Sequence, residues 1–149
     1  MISGYTGGTR EHPIYDTVCL GTTGHAEAVE ITFDPEVITY QTLLEAFFLL
    51  HDPTTLNRQG ADIGTQYRSA IFFHSDEQRA IAENIMRMES EKRGQSIATE
   101  LTASSKFWPA EKQHQVYYDA NREAPYCRLV IDPKITKLTK AFADKLKSE

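Results

Sequence analysis

Three stretches of the chain mix ionisable and aromatic side chains within glycine- or proline-marked turns: YDTVCLGTTGHAE over 15–27, HDPTTLNRQGADIGTQYRS over 51–69 and KFWPAEKQHQVYY over 106–118. Glu27 stands immediately before an apolar-alternating run, where its side chain can fall on one side with Val29 and Ile31. A carboxyl so placed is desolvated, its pKa rises, and it can serve as a general acid at neutral pH. The commoner outcome for such a position is a solvated strand-end carboxylate, because glutamate is seldom buried unpaired. Tyr15 and Tyr67 carry phenols able to donate hydrogen bonds to a polarised oxygen, although tyrosines that merely pack are more frequent. Asp62, just before Gly64, can orient a neighbour or close an Asx-turn. His25, His51, His74 and His114 sit at no metal-binding spacing, so no metal is expected and each reads as a hydrogen-bonded structural histidine. Cys19 and Cys127 are either reactive thiols or small buried hydrophobes, with no CxxC or Cys/His cluster to favour zinc.

These residues need elements to hold them. Val29, Ile31 and Phe33 alternate with polar residues and predict a half-buried strand over 28–33. The Gly- and Thr-rich opening over 4–12 reads as loop. Leu43, Leu44, Phe47, Phe48 and His51 recur at helical spacing after Thr39, an N-cap candidate, and Asp52-Pro53 ends that helix. Residues 52–66 form a polar stretch longer than most loops in compact domains and are a place to look for function. A buried strand over 70–73 follows. Ser75 and Gln78 make a capping-box pattern for a helix with Ile81, Ile85 and Met88 on one face, closed by Gly94. A short strand is expected over 97–101, a helix from Pro109 to Tyr118, and a final helix opened by Asp132-Pro133 with Ile135, Leu138, Phe142 and Leu146 on one face. Interleaved strands and helices without a repeat or linker predict a single α+β or mixed α/β domain over all 149 residues.

The net charge of −5 leaves no basic surplus for a phosphate backbone or an anionic membrane surface, so neither nucleic acid nor membrane is an expected partner. No apolar run approaches the roughly 20 residues that span a bilayer, and the opening lacks the pattern of a signal peptide; a soluble, cytoplasmic chain is expected.

The blocks GYTGG, YDTVCLGTTGHAEAVEITFDP, FFLLHDPTTLNRQGADIGTQYRSAIF, FWPAEKQHQVYY and PYCRLVIDPK together resemble successive blocks of the A-type peptide methionine sulfoxide reductases, over nearly the whole chain. The resemblance implies a two-layer α+β sandwich with a mixed sheet elaborating a ferredoxin-like core. It implies thiol-dependent reduction of the S-epimer of methionine sulfoxide, free or in oxidised proteins, without a cofactor and at the expense of thioredoxin or dithiothreitol. By motif, the acid maps to Glu27, the polarising tyrosines to Tyr15 and Tyr67, with Asp62 beside them; Trp108, His114 and Tyr117 resemble the site wall. Cys127 matches a position where many members carry a resolving cysteine. In the family the nucleophile lies in a Gly-Cys-Phe-Trp motif at the end of a first strand, followed by a helix, and this sequence holds no such motif. The first strand and helix are thus expected to be missing, leaving sheet edge and apolar surface exposed. Three readings follow: a reductase whose thiol is supplied by another segment or replaced by Cys19 or Cys127, an inactive relative that keeps the sulfoxide pocket, and a structural or interaction module.

Overall fold

The computed structural model describes residues 1–146. The chain opens with a strand, β1 (Ile2–Thr6), where glycine and threonine had suggested loop. Gly4 belongs in that strand because the next chain segment lies against it: a Cβ there would sit 2.3 Å from the Trp108 carbonyl oxygen and 2.5 Å from the Phe107 ring. A short helix, α1 (Tyr15–Cys19), precedes β2 (Ala26–Glu30). β2 starts earlier than its alternation predicts, so Glu27 lies within the strand and pairs with Tyr5 of antiparallel β1. β7 (Trp108–Pro109) joins the other edge of β1, giving the order β2-β1-β7. The helix expected from Pro109 instead starts after this bridge and divides into α4 (Lys112–Gln115) and α5 (Tyr117–Ala120).

The helix α2 (Tyr40–Leu50) is capped as its sequence predicts, Thr39 accepting from the Thr42 amide. The polar stretch that follows contains a two-residue-per-strand hairpin, β3 (Arg58–Gln59) and β4 (Asp62–Ile63), and then a 3₁₀ turn, Thr65–Tyr67. β5 (Ala70–Phe73), α3 (Asp76–Arg93) and β6 (Glu100–Ala103) make a parallel crossover unit. Ser75 caps α3 and Gly94 ends it in the left-handed region. Leu44 and Phe48 from α2, Ile71 from β5, and Ala82 and Ile85 from α3 form the buried core. At the end of the chain, Asp132 does not cap a new helix: its backbone continues a π-helical turn, Cys127–Ile131, into α6 (Asp132–Ala141), and its carboxylate accepts from the Tyr118 hydroxyl at 2.6 Å. Leu146 lies beyond that helix in extended backbone.

The architecture is α+β, as expected, but its strands form separate sheets. The outer edges of β2 and β5 carry no partner strand among the described residues. Between them opens a cleft of about 820 Å³, lined by residues 26–31 on one side, 70–72 on the other, and the apolar face of α2.

Candidate functional site at the head of the cleft

Glu27 and Val29 share one face of β2, as strand alternation requires, but that face is open to the cleft: Val29 is 54% and Ile31 40% exposed. Glu27 is itself exposed on that face, with neighbouring protein atoms displacing part of its water. Its pKa is raised, burial being the leading cause, the nearby Asp62 carboxylate adding to it and His114 opposing it. The strand is anchored at its start by His25, whose Nδ1 accepts from the Gly8 amide at 3.0 Å. Its Nε2 must then carry the proton and donate to the Arg10 carbonyl at 2.7 Å. Gly8 tolerates no side chain here, since a Cβ would stand 2.3 Å from the His25 amide nitrogen.

Tyr15 heads α1 and Tyr67 ends the 3₁₀ turn, and both line the same cleft as Glu27 and Asp62. The Tyr15 pKa is pushed up to about 12, chiefly by the neighbouring Cys19 side chain and then by burial, with Tyr67 and Glu27 also contributing. Burial raises that of Tyr67, with Glu27, Cys19 and Asp62 adding to it. Both phenols stay neutral near pH 7 and keep a proton to donate. Gln66 ties the two supports together, its amide donating to the Cys19 carbonyl at 3.0 Å.

His114 stacks on Tyr15 with ring centroids 4.4 Å apart. A carboxylate that sequence reading did not single out, Glu111, organises this wall. It accepts from the Tyr15 amide at 3.0 Å, faces His114 Nε2 at 3.2 Å and accepts from the Tyr5 hydroxyl at 3.5 Å. Tyr5, 3% exposed, and Tyr126 also line the cleft and were not foreseen. The signal for Tyr5 was present as an aromatic in the GYTGG block; nothing local marks Glu111 or Tyr126. Tyr117 lines the cleft, whereas Trp108 does not. Phe107, just before β7, lines the cleft, while the Trp108 ring packs edge-on against His12 at 4.7 Å with the Lys106 ammonium 4.0 Å above it. The structure thus brings Tyr117 and His114 to the cleft and leaves the Trp108 ring outside its lining.

Of the two thiols, Cys127 is wholly buried in the π-helical turn, and Cys19 is partly exposed beside the two phenols without lining the cleft itself. Among the described residues no group of His, Cys, Asp and Glu side chains converges to hold a metal ion, and no helix is long and apolar enough to cross a membrane. What converges is a carboxyl with a raised pKa, two neutral phenols and a second carboxylate around one opening. That set can protonate and hydrogen-bond a small polar oxygen.

Comparisons with known proteins agree on one family. The model of the peptide methionine sulfoxide reductase family matches residues 1–146. The peptide methionine sulfoxide reductase of Sulfolobus acidocaldarius is 54% identical over 142 residues, spanning 95% of this chain and 81% of that protein. Among solved structures, reduced Mxr1 from Saccharomyces cerevisiae superposes with a TM-score of 0.80 at 39% identity, covering 85% of this chain and 73% of that one. Mxr1 in complex with Trx2 superposes with a TM-score of 0.53 at 30% identity, over 75% of this chain and 62% of that one. The fold is that of the methionine sulfoxide reductases. The chain belongs to the peptide methionine sulfoxide reductase family.

Proposed function

We propose that this chain binds the S-epimer of methionine sulfoxide, free or in an oxidised protein, and supplies the acid half of its reduction. The observation that carries this reading is Glu27, its pKa raised, on the same cleft that Asp62, Tyr15 and Tyr67 line. Sulfoxide oxygen leaves poorly until protonated. The neutral Glu27 carboxyl donates a proton to it while the Tyr15 and Tyr67 hydroxyls polarise it. A thiolate attacks the sulfoxide sulfur; the protonated oxygen then passes from that sulfur to the thiol sulfur as the transient sulfur–sulfur bond breaks, so methionine leaves as the thioether and the attacking thiol is left oxidised to a sulfenic acid. An external dithiol returns that sulfenic acid to the thiol, releasing water and ending as a disulfide. We assign the reducing partner to thioredoxin, supported by the yeast relative's complex with Trx2, and dithiothreitol substitutes in the assay.

The attacking thiol comes, in this reading, from a Gly-Cys-Phe-Trp segment of the kind the family carries, seated in the cleft between β2 and β5. Cys127 is sealed from solvent and Cys19 stands off the cleft lining, which favours a delivered thiol over either. The site itself is tested by titrating isotope-labelled chain with methionine S-sulfoxide and then with the R-epimer, following NMR signals of the cleft tyrosines. Saturable shifts with the S-epimer that weaken in Glu27→Gln support the reading; equal response to both epimers, or none, refutes it.

A further inference from the structure

Arg68 follows directly on Tyr67 and its side chain is only 14% exposed, yet no acid of the site engages it. Its guanidinium instead spends its donors on three separate segments. Nη1 donates to the Thr65 carbonyl at 2.9 Å, inside the turn that carries Tyr67. Nη2 donates to the Gly24 carbonyl at 3.1 Å, three residues before Glu27. Nε pairs with Glu100 of β6 at 2.9 Å. The head also lies under the loop after β1, where a Cβ on Gly7 would come 3.0 Å from Nη2. Because the sheet of β2 and the sheet of β5 share no strand pairing among the described residues, these bonds are a direct tie between the segment bearing Glu27 and the segment bearing Asp62 and Tyr67.

We infer that Arg68 is a positioning residue: a planar fork that sets the separation between the Glu27 strand and the Asp62–Tyr67 turn across the cleft, and so fixes the geometry in which acid and phenols meet one oxygen. Arginine suits this task because its donors are held in one plane and point apart, whereas a lysine ammonium is a single point on a flexible stem. Two main-chain carbonyls and one carboxylate, lying on different segments, use that plane fully. The inference deepens the reading of Glu27 and Tyr67 as the oxygen-polarising groups and rests on it.

The groups facing Glu27 are Asp62, His114 and the hydroxyls of Tyr5, Tyr15, Tyr67 and Tyr126. If Arg68 holds the gap, its loss lets Asp62 recede and water enter, and the Glu27 midpoint falls. Simple removal of a nearby positive charge would raise it, so the sign separates the two roles. The experiment is carboxyl-carbon NMR titration of Glu27 in the substrate-free full chain, assigned with Glu27→Gln, for wild type, Arg68→Lys, Arg68→Gln and Glu100→Gln, with the melting temperature of each. We expect the Glu27 midpoint to fall by about half a pH unit or more in both Arg68 variants. Glu100→Gln keeps an acceptor for Nε and should leave the midpoint at the wild-type value whatever it does to stability. An unchanged or raised midpoint in folded Arg68→Lys overturns the inference, as does an equal fall in Glu100→Gln. Since no substrate is present, a wild-type chain that fails to bind or reduce methionine sulfoxide would count against the proposed function alone.

Discussion

At the scale of single residues, the site depends on one carboxyl that folding keeps protonated beyond its ordinary range. Glu27 has its pKa raised from 4.5 by burial first and by Asp62 second. The native state therefore holds a proton that the unfolded chain releases, and native stability falls as pH rises from 4.5 through the raised folded value. Glu27→Gln removes that penalty. Its melting temperature relative to wild type should climb from acid to neutral pH, while assisted sulfoxide reduction drops by about 10²-fold or more. A variant that keeps full turnover would refute Glu27 as the acid. Tyr15→Phe and Tyr67→Phe each remove one donor to the developing charge, and each should lower kcat by about 10²-fold with smaller change in KM. What the sequence revealed at this scale was residue identity inside dense motifs: Glu27, Tyr15, Tyr67 and Asp62 all reach one cleft. Glu111, Tyr126 and Arg68 escaped because their roles exist only through contacts with distant segments, such as the Glu111 carboxylate on the Tyr15 amide, which no local pattern encodes.

At the scale of elements, a buried polar chain joins the end of α2 to the residues that lead into β5 and β6. His51 Nδ1 donates to the Phe47 carbonyl at 2.6 Å, which leaves Nε2 to accept from Ser69 at 2.7 Å, and Ser69 in turn accepts from Thr99 at 2.8 Å. Burial lowers the His51 pKa from 6.5. The unfolded chain thus takes up a proton first as pH falls, and stability should be lost from 6.5 down to the lowered folded value. That slope should vanish in His51→Gln, as read by chemical denaturation at a series of pH values. Ser69→Ala strands the His51 nitrogen and the Thr99 hydroxyl and should cost about 1–3 kcal/mol; a neutral result would mean that water replaces Ser69. In the core, Phe48→Ala should cost about 3–5 kcal/mol. Helices α2 and α3 were legible because amphipathic spacing and caps coincide in them. β1 was not, because its Gly4 answers the close approach of Trp108 and Phe107 and not any local preference. The helix expected over 109–118 was misread for the complementary reason: pairing of Pro109 with Gly4 draws its first residues into a sheet.

At the scale of the whole molecule, two strand edges that lack a partner among the described residues face an open, largely apolar cleft. Free edges are templates for further pairing, so the isolated chain should self-associate as its concentration rises, visible by sedimentation and suppressed when an extended peptide fills the cleft. A monomer at all concentrations would argue that the edges are otherwise shielded. The fold class was readable from interleaved periodicities and from family motifs, whereas the division into separate sheets was not, because strand pairing is a property of distant segments meeting. The central claim is that these residues supply the acid and the oxygen-polarising groups while a delivered thiol supplies the attack. Its most direct test is dithiothreitol-driven reduction of methionine S-sulfoxide by the chain alone and with a peptide carrying Gly-Cys-Phe-Trp, the R-epimer as control and Cys19→Ser and Cys127→Ser alongside. We predict turnover only with chain and peptide together, specific for the S-epimer and indifferent to both serine variants. Turnover by the chain alone that disappears in Cys19→Ser or Cys127→Ser, or no turnover from a folded chain with peptide bound, would contradict it.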